Sequence, residues 1–140
     1  MQQKMKYAHM NAAHGYAKCS HARRLKVGAI LVKDDTVISI GYNGTRPGED
    51  NNCEDELPDG TLVTKPNVIH AEQNVLDKLA KKGGGADGSS MFITISPCLM
   101  CSQRIANTGV KAVYYEIEYR NTDGIDYLRH HDVHVEKLAD

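Results

Sequence analysis

At 140 residues, 41% hydrophobic and 25% charged, the chain is long enough to bury a core unaided and is expected to form one soluble globular domain over residues 1–140. Its 17 basic residues against 18 acidic ones leave a net charge of −1, which offers little counterion release on a polynucleotide and argues against nucleic-acid binding. No apolar run reaches membrane-spanning length and the start, MQQKMKYAHMNAAHGYAKCSHARR, lacks a signal-peptide stretch, so a cytoplasmic location is expected, with the four cysteines as thiols or metal ligands rather than disulfides.

Residues 3–18 combine good helix formers with Met5, Ala8, Ala12 and Ala13 near helical spacing, which predicts a first helix. KVGAILVKDDTVISIGYNG is two β-rich runs meeting at Asp34-Asp35, the pattern of a hairpin. From Thr45 to Pro66 the chain is polar and carries Pro47, Gly48, Pro58 and Gly60, so a long loop is expected. Loops of that length in a compact domain are usually functional or disordered. A second helix should run from about His70 to Lys82, with Val75, Leu76 and Leu79 inward and Gly83-Gly84-Gly85 as its stop. MFITIS reads as a buried strand, and PCLMCSQRIANTG as a third helix opened by Pro97 and stopped by Gly109. VKAVYYE is a further strand, followed by a short helix near 124–131 and an edge strand VHVEKL. Strands alternating with helices imply a mixed α/β sheet covered by helices.

Chemistry concentrates in VIHAEQNV, residues 68–75, and ISPCLMC, residues 95–101. His70, Cys98 and Cys101 each fall at the head of a predicted helix, and two cysteines three apart on a first turn share a side and can grip one ion. The helix N-terminus favours their thiolate forms, because its free N–H groups attract negative charge. One histidine and two cysteines leave a fourth position for water, the arrangement of a catalytic rather than a structural zinc. Glu72 is not needed as a ligand, and it is the natural group to take a proton from that water and return it to a substrate. Two residues turn about 200° in mid-helix, but at a helix's first turn His70 and Glu72 can both point past its end.

Together these residues resemble the His-x-Glu … Pro-Cys-x-x-Cys signature of the zinc deaminases. More specifically, VGAILVKDDTVISIGYNGTRPGEDNNC, HAEQN and SPCLMC, followed by TGVKAVYY, resemble the deoxycytidylate (dCMP) deaminases over nearly the whole length. The resemblance implies a three-layer α-β-α fold with a five-stranded mixed sheet of the cytidine deaminase-like type. It implies hydrolysis of dCMP to dUMP and ammonia at a catalytic Zn2+, in a homo-oligomer expected to be a hexamer. It further implies activation by dCTP with Mg2+ and inhibition by dTTP. By the same resemblance Asn43 hydrogen-bonds the deoxyribose, Ala71, Ser96 and Pro97 line the substrate site, and an effector site at a subunit boundary draws on Val27, Gly28, Gly41, Tyr42, Asn43, Gly44 and Lys65.

Glycines on both sides of Tyr42-Asn43 allow a ligand close to the backbone, although Asn-Gly is equally an ordinary turn at a strand end. A monophosphate needs cations, and HARRLK supplies His21, Arg23, Arg24 and Lys26; such runs are usually solvated surface. One of the two arginines is expected to grip phosphate, Arg24 being put forward without a local reason to prefer it over Arg23. Some members of the family resembled hold a second, structural zinc with cysteines placed like Cys19 and Cys53. The chain departs from that pattern, having no histidine between Cys53 and His70. Competing readings are a tRNA adenosine deaminase, which shares the Pro-Cys-x-Met-Cys stretch, a riboflavin-pathway or free-cytosine deaminase, and a non-catalytic zinc module. Near-zero charge and the Gly-Tyr-Asn-Gly-Thr segment argue against the first, and Glu72 against the last.

Overall fold

The computed structural model describes residues 1–139. A first helix, α1 (Gln3–Ala17), leads into a hairpin of β1 (Gly28–Lys33) and β2 (Thr36–Tyr42). Asp34 and Asp35 both take positive φ, 52° and 56°, which matches the right-handed twist of the flanking strands. The chain continues as β3 (Glu54–Glu56), β4 (Leu62–Thr64), α2 (Ala71–Lys81), β5 (Ser90–Ile95), α3 (Leu99–Asn107), β6 (Ala112–Ile117), α4 (Asp123–His130) and β7 (His134–Lys137). Gly83 and Gly109, at φ 80° and 84°, follow the ends of α2 and α3 and act as their stops.

The main sheet has five strands in the order β2-β1-β5-β6-β7. β1 is antiparallel to both β2 and β5, whereas β5, β6 and β7 are parallel. Alternation along the strands sorts side chains to two faces. Ile30, Val32, Phe92 and Tyr114 pack with Met10 and Ala13 of α1. Ala29, Leu31, Met91, Ile93 and Val113 pack with Val75 and Leu79 of α2, Ile105 of α3 and Leu128 of α4. The result is the expected three-layer α-β-α arrangement, with α1 alone on one side. Every residue of β5 is buried, as a strand covered on both faces requires.

Four local expectations are corrected. The stretch 45–66 is not wholly loop: β3 and β4 form a two-stranded hairpin in register Glu54↔Thr64, Asp55↔Val63, Glu56↔Leu62. The inward face of α1 is His9, Met10, Ala13 and Ala17, while Ala8 is exposed, because the stripe follows positions 9, 10, 13 and 17. Leu76 is only half-buried beside the core that Val75 and Leu79 enter. Pro97 precedes the N-cap, Cys98, instead of opening α3.

Candidate active site and metal centre

Because β1 and β5 are antiparallel, with Ala29 opposite Ile93, β1 begins beside the end of β5. The entries to α2 and α3 converge on that edge. His70 is the N-cap of α2 and Cys98 the N-cap of α3, both with extended backbone (φ −68°, ψ 155° and φ −72°, ψ 170°). An N-cap side chain and that of the third helical residue meet over the helix end, which pairs Cys98 with Cys101. His70 Nδ1 lies 3.8 Å from Cys98 Sγ and 3.3 Å from Cys101 Sγ. Tetrahedral zinc, with Zn–S of about 2.3 Å and Zn–N of about 2.0 Å, holds its nitrogen and sulfur ligands about 3.6 Å apart. The observed separations straddle that value, so the three donors fit the ion. They are the single group of three or more His, Cys, Asp or Glu ligand atoms within 4.8 Å of one another among the described residues.

The donors share protons among themselves. Hydrogen bonds from Cys101 and His70 pull the Cys98 thiol down to about 4. Cys101 is pushed up by its bond to Cys98 and by burial, and the His70 imidazole is raised chiefly by its bond to Cys98. A dication binding there displaces these protons. Glu72, in the first turn of α2, is only 5% exposed. Burial pushes its carboxyl up to about 7, against the opposing pull of its own backbone N–H and of His70. A carboxyl titrating near neutrality can both accept a proton and hand it on.

A cavity of about 190 Å³ opens onto this group. His70, Ala71, Glu72, Ser96 and Cys98 line it, and so do Asn43 and Arg24. Asn43 is locked: its Nδ2 donates to Leu25 O at 2.8 Å and its Oδ1 accepts the Val27 N–H at 2.9 Å. Each end keeps capacity for one more hydrogen bond. Arg24 donates from Nη1 to Leu62 O at 3.0 Å and from Nη2 to Thr64 Oγ1 at 2.8 Å, leaving three of its five N–H groups for a ligand. Arg23 instead reaches Asn52 Oδ1 and Glu54 O, and it is not part of the cavity wall. Ser96 accepts the Tyr119 N–H on its Oγ at 2.7 Å and so holds Tyr119 at the cavity.

Other expected residues lie elsewhere. Pro97, Gly28, Gly41, Tyr42, Gly44 and Lys65 are outside the cavity wall. Gly28 and Gly41 are glycines for packing: a Cβ on Gly28 would strike the backbone of Ala13 and Ala17, and one on Gly41 would sit 2.6 Å from Val75 N and 2.9 Å from Ala71 O. The close approach they allow is therefore to α1 and α2. Tyr42 accepts the Asn74 Nδ2–H on its carbonyl at 2.8 Å, and Gly44 pairs with Ile69 through two backbone bonds, so the 41–44 segment is tied to the entry of α2. Lys65 faces Asp55 at 3.8 Å. Cys19 is exposed, whereas Cys53 is buried and does line the cavity, and neither joins a group of three donors among the described residues. The sequence reading missed Leu25, Glu54, Thr64, Val68, Ile95 and Tyr119 in the wall. Ile95 and Tyr119 stand at or just past the ends of two parallel strands, a place where open α/β sheets bind ligands, and that rule was the available signal.

A family profile described as the cytidine and deoxycytidylate deaminase zinc-binding region matches residues 1–117. The chain is 37% identical over 114 residues to ComE operon protein 2 of Bacillus subtilis, covering 79% of this chain but only 58% of that protein. It is 31% identical over 139 residues to the deoxycytidylate deaminase of Enterobacteria phage T4, covering 72% of each. Among solved structures, the dCMP deaminase of cyanophage S-TIM5 in complex with dCMP and dUMP superposes with a TM-score of 0.91 at 49% identity, over 99% of both chains. Among the described residues, no helix is long and apolar enough to cross a membrane. By its sequence profile, its fold and its curated relatives, the chain belongs to the cytidine and deoxycytidylate deaminase family.

Proposed function

We propose that the protein hydrolyses dCMP to dUMP and ammonia in the cytoplasm, as one domain over residues 1–140. The observation that carries this is a single cavity lined by His70 and Cys98 of the His70–Cys98–Cys101 donor group, the buried Glu72 carboxyl, Asn43 and Arg24. The likeness to a phage enzyme solved with dCMP and dUMP supports the choice of base and phosphate. His70, Cys98 and Cys101 would hold zinc, which would supply a Lewis acid to activate water at neutral pH. Glu72 takes a proton from the attacking water as the water's oxygen bonds to C4, gives that proton to the ring nitrogen N3, and then carries the remaining proton of that oxygen to the departing amine. The C4–N bond breaks as the C4–O bond becomes a carbonyl, and ammonia leaves. Asn43 receives the deoxyribose, Arg24 the phosphate, and Ala71 and Ser96 border the base.

Control by dCTP with Mg2+ and by dTTP, in a homohexamer, is the finer part of the reading. Its support is mechanical: the Gly44–Ile69 pair and the Asn74–Tyr42 bond couple the 41–44 segment to α2, which begins immediately after His70. Of the residues expected at the effector site, Val27 and Asn43 line the substrate cavity, whereas Gly28 and Lys65 do not. The test is ammonia release by the zinc-loaded protein from dCMP, dCTP, deoxycytidine, cytosine and adenosine, with and without dCTP and dTTP. A preference for dCMP, with a sigmoidal curve that dCTP makes hyperbolic and dTTP steepens, is expected. A better substrate among the other four refutes the assignment, and a dCMP curve indifferent to both triphosphates refutes the regulation alone.

A further inference from the structure

The β3–β4 hairpin holds Arg24 by both ends. Glu54, the first residue of β3, is 2% exposed, and its carboxylate accepts the Arg23 backbone N–H at 3.1 and 2.9 Å and the Arg24 backbone N–H at 3.0 Å. Its cross-strand partner on β4 is Thr64, whose Oγ1 accepts Arg24 Nη2 at 2.8 Å. One residue pair thus fixes the main chain of Arg24 through Glu54 and its guanidinium through Thr64. The same segment is anchored from the other side, where Asn43 bonds Leu25 O and Val27 N. Arg24 is exposed and long, so free in solution it would sample many rotamers. Held in this way, its planar fork presents its remaining N–H groups in one direction.

A buried carboxylate is costly unless its oxygens are satisfied, and here the hydrogen bonds come from the two amides that precede Leu25, with Arg23 Nε 3.6 Å away as an ion-pair partner. We propose that Glu54 is a positioning residue for the phosphate end of the substrate site, acting through Arg24 and assisted by Thr64. The proposal rests on the reading that Arg24 binds the phosphate of dCMP. The small hairpin then serves to select a nucleotide over the corresponding nucleoside, at a distance from the reacting carbon.

The experiment compares dCMP with deoxycytidine as substrates for the wild-type enzyme, Glu54→Gln and Thr64→Val, each zinc-loaded. Glu54→Gln keeps the side-chain shape but places an NH2 group opposite an amide that needs an acceptor. Its KM for dCMP is expected to rise roughly tenfold or more, the worth of a charge-assisted hydrogen bond. Its kcat for dCMP and its kcat/KM for deoxycytidine should stay within about threefold of wild type, well inside the tenfold that one such bond is worth. Thr64→Val changes an exposed hairpin residue, cannot unfold the core, and should show the same substrate-selective loss at smaller size. Equal losses on both substrates, or no loss on either, in both variants would overturn the positioning role. A wild-type enzyme that does not favour dCMP over deoxycytidine would instead refute the phosphate role of Arg24, which is a separate result.

Discussion

Gly41→Ala tests whether the close packing of β2 against α2 sets the metal centre. An added Cβ would lie 2.6 Å from Val75 N, and ordinary contact begins near 3.4 Å, so α2 must retreat by roughly 0.8 Å. The obstacle is backbone, which cannot swing aside like a side chain. Overpacking of this kind costs about 1–3 kcal/mol. Unfolding entropy of about 2.1 cal/mol/K per residue gives about 0.3 kcal/mol/K for a chain of this size, so Tm should fall by about 3–10 °C. The same shift moves Ala71 and its neighbours His70 and Glu72 relative to Cys98 and Cys101. A misplacement approaching 1 Å costs up to about 100-fold in rate. Thermal melts, zinc content and dCMP turnover on one preparation measure all three effects. Gly44→Ala is the control, since a Cβ there meets nothing within 4 Å and Gly44 is not at positive φ. A Gly41→Ala protein with unchanged Tm and turnover would refute the packing argument.

Replacing Cys98, Cys101 or His70 singly by Ala should remove zinc and activity together, and a variant keeping stoichiometric zinc with near-normal turnover would remove that residue from the ligand set. Acid stability should depend on Lys6. Burial raises the Glu136 carboxyl, but Lys6 Nζ at 3.1 Å and His134 outweigh burial and hold it below the usual carboxylate range. A depressed carboxyl contributes stability above its unfolded pKa of about 4.3 and loses it as pH falls through the folded value. Lys6→Met should therefore lower Tm near pH 6, with the gap to wild type closing below about pH 4. A gap independent of pH would mean that lost packing, not charge, is responsible.

The convergence of His70, Cys98 and Cys101 was legible because zinc chemistry needs fixed residue types at fixed spacing, and helix capping then dictates how the three meet. The hairpin at Asp34-Asp35 was legible for a similar local reason, two residues able to take positive φ between β-rich runs. The β3–β4 hairpin was hidden because its three-residue strands are mostly exposed and lack alternation. Gly41 read as a ligand-approach glycine from local sequence alone, and Gly28 was placed at a ligand site only by the family resemblance. Their actual neighbours, Ala13 with Ala17 and Ala71 with Val75, are brought near only by the tertiary fold. The choice between Arg23 and Arg24 was equally non-local, since it turns on which one Leu62 and Thr64 hold at the cavity.

The central claim is that three residues bind zinc while a fourth, Glu72, moves the protons. Zinc stoichiometry and dUMP formation from dCMP, measured on the same samples of wild type and Glu72→Gln, test it most directly. One zinc per chain in both proteins, with turnover reduced by about 10²- to 10⁴-fold in the variant, is the predicted result. Loss of zinc along with turnover would make Glu72 a ligand or a structural support, and normal turnover in the variant would contradict the mechanism outright.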